Sequence, residues 1–96
     1  MPVYFIADIR INDPEGYAAY LAGFMDIFTR HQGTLRVVSS SPVTVIEGDW
    51  QPSGIVLMEF PTPAHADAWK NDPDYVALAK IRQATAETNL VLVEGL

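Results

Sequence analysis

The side chains equipped for chemistry in this chain are few, and one of them is oddly placed. The stretch DPDYVALAKIRQATAE, wound at the helical period, puts Tyr75, Leu78, Ala79, Arg82 and Ala86 on one inward face. A guanidinium keeps its charge at any ordinary pH, and an unpaired charge in a protein interior is strongly destabilising. Arg82 must therefore meet a carboxylate, reach solvent past its neighbours, or hold an anionic ligand. Glu59, a charge inside the apolar run IVLMEF, is the natural mate, with Asp8 and Glu47 as substitutes. Both parities of that run are apolar, so alternation leaves the direction of Glu59 open. An internal Arg82–Glu59 pair and an anion anchor in a pocket are the two readings of this arginine.

The other candidates surround it in composition rather than in sequence. Tyr17 and Tyr20 bring hydroxyls to the buried stripe of an early helix, where such groups seek partners or pack as core. His31 falls in the last turn of that helix, suited either to capping its carbonyls or to moving a proton. His65 stands beside Asp67 on a short helix and belongs in solvent, while Trp69 is either core or a ligand-stacking ring. The weak catalytic candidates are thus His31 and Glu59, and the ligand-binding set is Tyr17, Tyr20, Trp69 and Arg82. Two histidines far apart in sequence match no metal spacing, so no metal site is expected. Without a phosphate loop, dinucleotide fingerprint, nucleophile elbow or zincin motif, the enzymatic possibilities left are cofactor-free proton transfer or oxygen chemistry on a small organic molecule in a pocket between helices and sheet; the alternatives are a non-catalytic metabolite-binding module and a purely structural or interaction domain with a filled core.

These side chains need elements to position them. Val3 to Ile11 alternates as a strand. Asn12 or Asp13 with Pro14 opens a helix that runs to about Gln32, where Gly33 supplies a left-handed stop. Thr34 to Ser39 and Val43 to Glu47 read as one extended arm interrupted by SSSP, GDWQPSG makes the reversal, and Ile55 to Phe60 is the next strand. Thr62 and Pro63 start a short helix carrying Ala66 and Trp69; Asp72 and Pro73 break it, a second piece runs to about Glu87, and Asn89 to Glu94 closes as a strand. With right-handed crossovers this order gives an α+β, ferredoxin-like βαββαβ fold with a split second helix and an antiparallel sheet covered by helices on one face.

The bulk properties narrow the partners. Ninety-six residues make one domain, 1–96, and 49% hydrophobic content with 19% charge is globular. A net charge of -6 with scattered cations disfavours nucleic acid and anionic membranes. No apolar run approaches the roughly 20 residues of a spanning helix. The start, MPVYFIADIR, has no secretory pattern, and the absence of cysteine fits a reducing cytoplasm. Because IVLMEF and NLVLVEGL are apolar on both parities, the uncovered face of the sheet calls for a mate, and a sheet-on-sheet homodimer is expected.

Several of these residues form a recognisable set: Asp13-Pro14 with Tyr17 and Tyr20, His31 and Gly33, EGDW from Glu47 to Trp50 with Pro52, Glu59-Phe60, Ala66 and Trp69, Asp74-Tyr75, Arg82, and the closing Glu94-Gly95. Over nearly the whole chain this resembles the family called domain of unknown function 1330. The resemblance implies a dimeric α+β barrel, a group whose members include cofactor-free monooxygenases, muconolactone isomerases and haem-degrading enzymes. Family members tend to carry paired glycines after the first helix and an Arg-Gly-Gly turn after the next strand; here the corresponding residues are Gln32-Gly33 and Ser39-Ser40-Ser41. The Asn, Trp and His set of the haem-degrading relatives is not reproduced. Trp69 corresponds in place, but strand one offers Asp8 and no histidine lies on the following helix, so haem is not expected as a cofactor.

Overall fold

The computed structural model describes residues Met1–Leu96. Its elements are β1 (Val3–Ile11), α1 (Pro14–Arg30), β2 (Thr34–Val37), β3 (Ile55–Phe60), α2 (Pro63–Asn71), α3 (Pro73–Thr85) and β4 (Ala86–Glu94). The strands form one sheet in the order β2-β3-β1-β4, with every neighbouring pair antiparallel. This is the ferredoxin-like arrangement expected from the element order.

The central strand β1 buries Val3, Phe5, Ala7 and Ile9, and β3 adds Met58 and Phe60 on the same face. All three helices pack on that face. Tyr17, Tyr20, Phe24, Ile27 and Phe28 of α1, Ala66 and Trp69 of α2, and Tyr75 and Ala79 of α3 complete the core. Trp69 is its pivot: its ring lies 5.4 Å from Phe5, 5.3 Å from Phe60 and 4.0 Å from Tyr75. Tyr4, Ile6, Ile55 and Leu57 face the other way and are half-buried, while Val91 and Val93 on the edge strand β4 are exposed. The molecule is only 16 Å across its thinnest direction, the depth of one sheet and one helical layer.

Caps set the helix boundaries. Asp13 takes the N-cap of α1, its Oδ1 accepting from Gly16 N at 3.1 Å, and Thr62 does the same for α2 through His65 N at 3.2 Å. Asp72 closes α2 and opens α3, accepting from Asp74 N at 2.9 Å, so one side chain holds the break in the split helix. The end of α1 departs from expectation. The left-handed residue is Gln32 (φ 63°), not Gly33. Glycine is needed at 33 for space instead, because a Cβ there would lie 2.5 Å from the Phe28 ring.

The expected long arm is also corrected. β2 stops at Val37 after a bulge at Arg36, and Val43 to Glu47 forms no strand. Those residues have the right β-branched composition, but a strand also needs a neighbour to bond, and they pair with neither free edge of the sheet, β2 or β4. Val43, Val45 and Ile46 accordingly stand exposed. The segment is fastened at its far end by Asp8, which accepts from Trp50 Nε1 at 3.1 Å, Ser53 N at 2.9 Å and Gly54 N at 3.1 Å. Finally, α3 ends at Thr85 and β4 begins at Ala86, three residues earlier than the sequence suggests. β4 then pairs with β1 along its whole length, from Ile11↔Ala86 to Val3↔Glu94.

Candidate functional site

A cavity lies between the helices and the inner face of the sheet. α1 contributes Tyr17 and Tyr20, α2 Trp69, α3 Tyr75 and Arg82, and the sheet Ala7, Met58, Thr88 and Leu90. It leaves about 80 Å³ of room, well under the roughly 300 Å³ at which ordinary ligand pockets begin. Leu21, Val38 and Leu90 on its wall are themselves exposed, so it communicates with solvent. Thirteen of its sixteen wall residues are hydrophobic. Polar side chains here are therefore few: the tyrosine hydroxyls, Trp69 Nε1, Ser39, Arg82 and Thr88.

The polar groups are linked in a short chain of neighbours. Tyr20 and Tyr75 share a hydrogen bond of 2.8 Å between their hydroxyls, and Arg82 lies over the Tyr20 ring with Cζ 5.8 Å from its centre. Burial pushes the Tyr20 hydroxyl far above the ordinary tyrosine range, helped by the neighbouring Tyr75. Burial raises Tyr17 as well, with Arg82 pulling the other way. Both phenols therefore remain protonated at neutral pH and keep a hydrogen to donate. Arg82 itself makes no ion pair with any carboxylate of the chain. Its guanidinium is held by the face of Tyr20 and by partial exposure to water.

The proposed mate of Arg82 is elsewhere. Glu59 sits on the outer face of β3, paired across the sheet with Tyr4 and Thr34, and its Oε1 accepts from Arg36 Nε at 3.0 Å. The Arg82–Glu59 pair is thus corrected to Arg36–Glu59, because Met58 and Phe60 take the inner parity and leave Glu59 the other. Asp8 also faces outward and is occupied by Trp50, Ser53 and Gly54; the amide of Gly54 is the main reason its carboxyl lies below the usual range. His31 does not reach the cavity. Its Nε2 lies 2.8 Å from Asp72 Oδ2 at the junction of α1 with the split helix, and this bond is the leading cause of the lowered Asp72 carboxyl. His65 Nδ1 pairs with the Thr62 hydroxyl at 2.7 Å. No three His, Asp or Glu residues gather in a group able to hold a metal ion.

Tyr17, Tyr20, Trp69 and Arg82 are therefore brought together, and His31 and Glu59 are not. Two wall residues were missed from sequence. Tyr75 shares the helical face of Arg82 and could have been found from that face alone. Thr88 was hidden because β4 was started at Asn89; carrying the alternation of Leu90 and Leu92 back two residues places it on the inner face.

The sequence profile of the family described as Domain of unknown function (DUF1330) matches residues 2–96. The chain belongs to this family. DUF1330 membership thus covers every element that builds the cavity. Among curated proteins, none matches the chain. Among solved structures, a protein of unknown function from Rhodopseudomonas palustris is similar at TM-score 0.80 and 22% identity, covering 99% of this chain and 82% of that one. SnoaB, a cofactor-independent oxygenase from Streptomyces nogalater, aligns at TM-score 0.68 and 15% identity over 99% of this chain and 93% of its own. An antibiotic biosynthesis monooxygenase aligns at TM-score 0.57 and 15% identity over 100% and 99%. At such identities the likeness is one of fold, and this DUF1330 chain shares its ferredoxin-like architecture with monooxygenases.

Proposed function

We propose that this protein is a cytoplasmic homodimer that binds one small organic molecule per subunit in the cavity at Arg82, and that the bound molecule undergoes cofactor-free oxygenation. The observation that carries the reading is Arg82: a cation without an ion pair, on the wall of an apolar cavity where the bonded Tyr20 and Tyr75 hydroxyls leave one hydrogen between them to donate. Such a set stabilises an oxyanion forming on a bound substrate. Neither histidine nor any carboxylate lines the cavity to serve as a base, which disfavours proton transfer by the protein; oxygenation then applies to a substrate acidic enough to lose its proton to water and bind as its anion beside Arg82, with dioxygen as the oxidant. The fold shared with SnoaB, named as a cofactor-independent oxygenase, supports the same preference.

Dimerisation rests on the half-buried Tyr4, Ile6, Ile55 and Leu57, which no helix covers. A non-catalytic binding module is the second reading, favoured by the same lack of a resident base. Native mass spectrometry of protein purified without denaturation reports subunit count and any retained ligand together. Oxygen uptake with that ligand then separates enzyme from module. Arg82→Gln is expected to abolish retention of the ligand with a stability loss of no more than about 1 kcal/mol, the worth of a cation–π contact. A large stability loss with unchanged ligand retention would return Arg82 to a structural role.

A further inference from the structure

The cavity holds more hydrogen-bond donors than the protein supplies acceptors for. Trp69 is 1% exposed, yet its Nε1 has no acceptor within bonding distance, and the hydroxyl of Thr88 is likewise buried and unpartnered. An indole N–H can only donate, and a buried donor left without an acceptor is destabilising. Arg82 adds a charge with no counter-charge. Tyr20 and Tyr75 use one hydroxyl hydrogen between them in their mutual bond and leave the other to give. Four of these groups adjoin one another, since Arg82 lies over Tyr20, Tyr20 bonds Tyr75, and Tyr75 packs on Trp69 at 4.0 Å, and Thr88 lines the same cavity. What is missing is an acceptor for the indole N–H, a partner for the Thr88 hydroxyl and one negative charge, and a carboxylate supplies all three.

Size and walls restrict the rest of the molecule. At about 10–15 Å³ for each water-sized site, 80 Å³ accommodates roughly five to eight such sites, and bonded atoms lie closer together than waters do. That is the bulk of one six-membered ring with a short substituent. The rings of Tyr20, Phe24, Trp69 and Tyr75 line the space, and aromatic walls favour a flat aromatic guest.

We propose that the cavity takes a single-ring aromatic carboxylate, with Arg82 neutralising its charge and Trp69 Nε1 and the Thr88 hydroxyl bonding its oxygens. This deepens the reading of the cavity as a ligand site and depends on it. It assigns Trp69 a recognition role beyond core packing and makes Thr88, on the strand opposite the helices, part of the same site. A polycyclic molecule does not fit this cavity without displacement of its walls.

Benzoate, benzamide and benzyl alcohol are the probes. In the ¹H–¹⁵N spectrum of the labelled protein each of the two tryptophans gives one indole peak, and Trp50→Phe assigns them. Benzoate is expected to move the Trp69 peak saturably and leave that of Trp50, whose N–H is held by Asp8. Benzamide, the same shape without the charge, should bind at least tenfold more weakly. Arg82→Gln should erase that preference, and Arg82→Lys should retain part of it. Benzamide binding as tightly as benzoate, or a preference surviving in Arg82→Gln, overturns the carboxylate assignment. If benzyl alcohol shifts the Met58 and Leu90 methyl signals while benzoate shifts nothing, the ligand class is wrong and the cavity stands as a ligand site. If none of the three probes disturbs those signals or the Trp69 peak, the ligand-site reading falls along with the carboxylate.

Discussion

Gln32 shows how one residue can hold a helix end at a cost. It adopts φ 63° where glycine would sit without penalty, while the glycine of this turn is held at the next position, where Phe28 leaves no room for a side chain. A left-handed conformation costs a side-chain-bearing residue about 1–2 kcal/mol, partly offset in a glycine variant by its freer unfolded chain. Gln32→Gly should therefore raise stability by about 0.5–1 kcal/mol in urea titration. Thr88 offers a similar test within the cavity. Its buried hydroxyl has no protein partner, so the nearly isosteric Thr88→Val should stabilise the free protein by about 1 kcal/mol while weakening benzoate binding. Loss of stability in that variant would mean that the hydroxyl is satisfied by water.

Among the elements, the split helix depends on pH through its capping residue. Asp72 caps α3, bonds His31 and lies 3.4 Å from Arg30, and its carboxyl is held below the ordinary value of 3.8, chiefly by the His31 bond. A carboxyl with a lower pKa folded than unfolded contributes stability above its unfolded value, and that contribution fades as pH falls through its folded value. Wild type and Asp72→Asn should therefore differ fully in urea midpoint at pH 5 and begin to converge only as pH falls below 3.8, through the lower folded value. A difference that stays constant to pH 2.5 would assign the effect to helix geometry. The arm after β2 makes the complementary point. Val43 to Glu47 has strand composition and no strand, because β structure is completed by a neighbour and composition cannot supply one.

For the whole molecule, the decisive feature is that one helical layer covers one face of the sheet. The opposite face carries Ile6 and Leu57 at its centre with Val91 and Val93 toward the β4 edge, a surface suited to a second copy. The protein should sediment as a dimer at micromolar concentration. Leu57→Asp should release subunits of 10.6 kDa with helical content intact. A wild-type protein that remains a single subunit would remove the dimer from the proposed function, yet leave the cavity on the other face untouched.

Much of this protein was legible along the chain. The alternation of β1, the Asp13-Pro14 and Thr62-Pro63 caps and the Asp72 break are local, set by backbone sterics and short-range hydrogen bonds, and they suffice to order the elements. The cavity-facing set Tyr17, Tyr20, Trp69 and Arg82 was also readable, since a buried helical face is periodic. Glu59 was not: its strand is apolar on both parities, so its direction depended on which face the helices chose. The Arg36 pairing, the removal of His31 to Asp72 and the inclusion of Thr88 likewise arise from contacts between residues distant in sequence. Periodicity says which residues share a face; only packing says what that face meets.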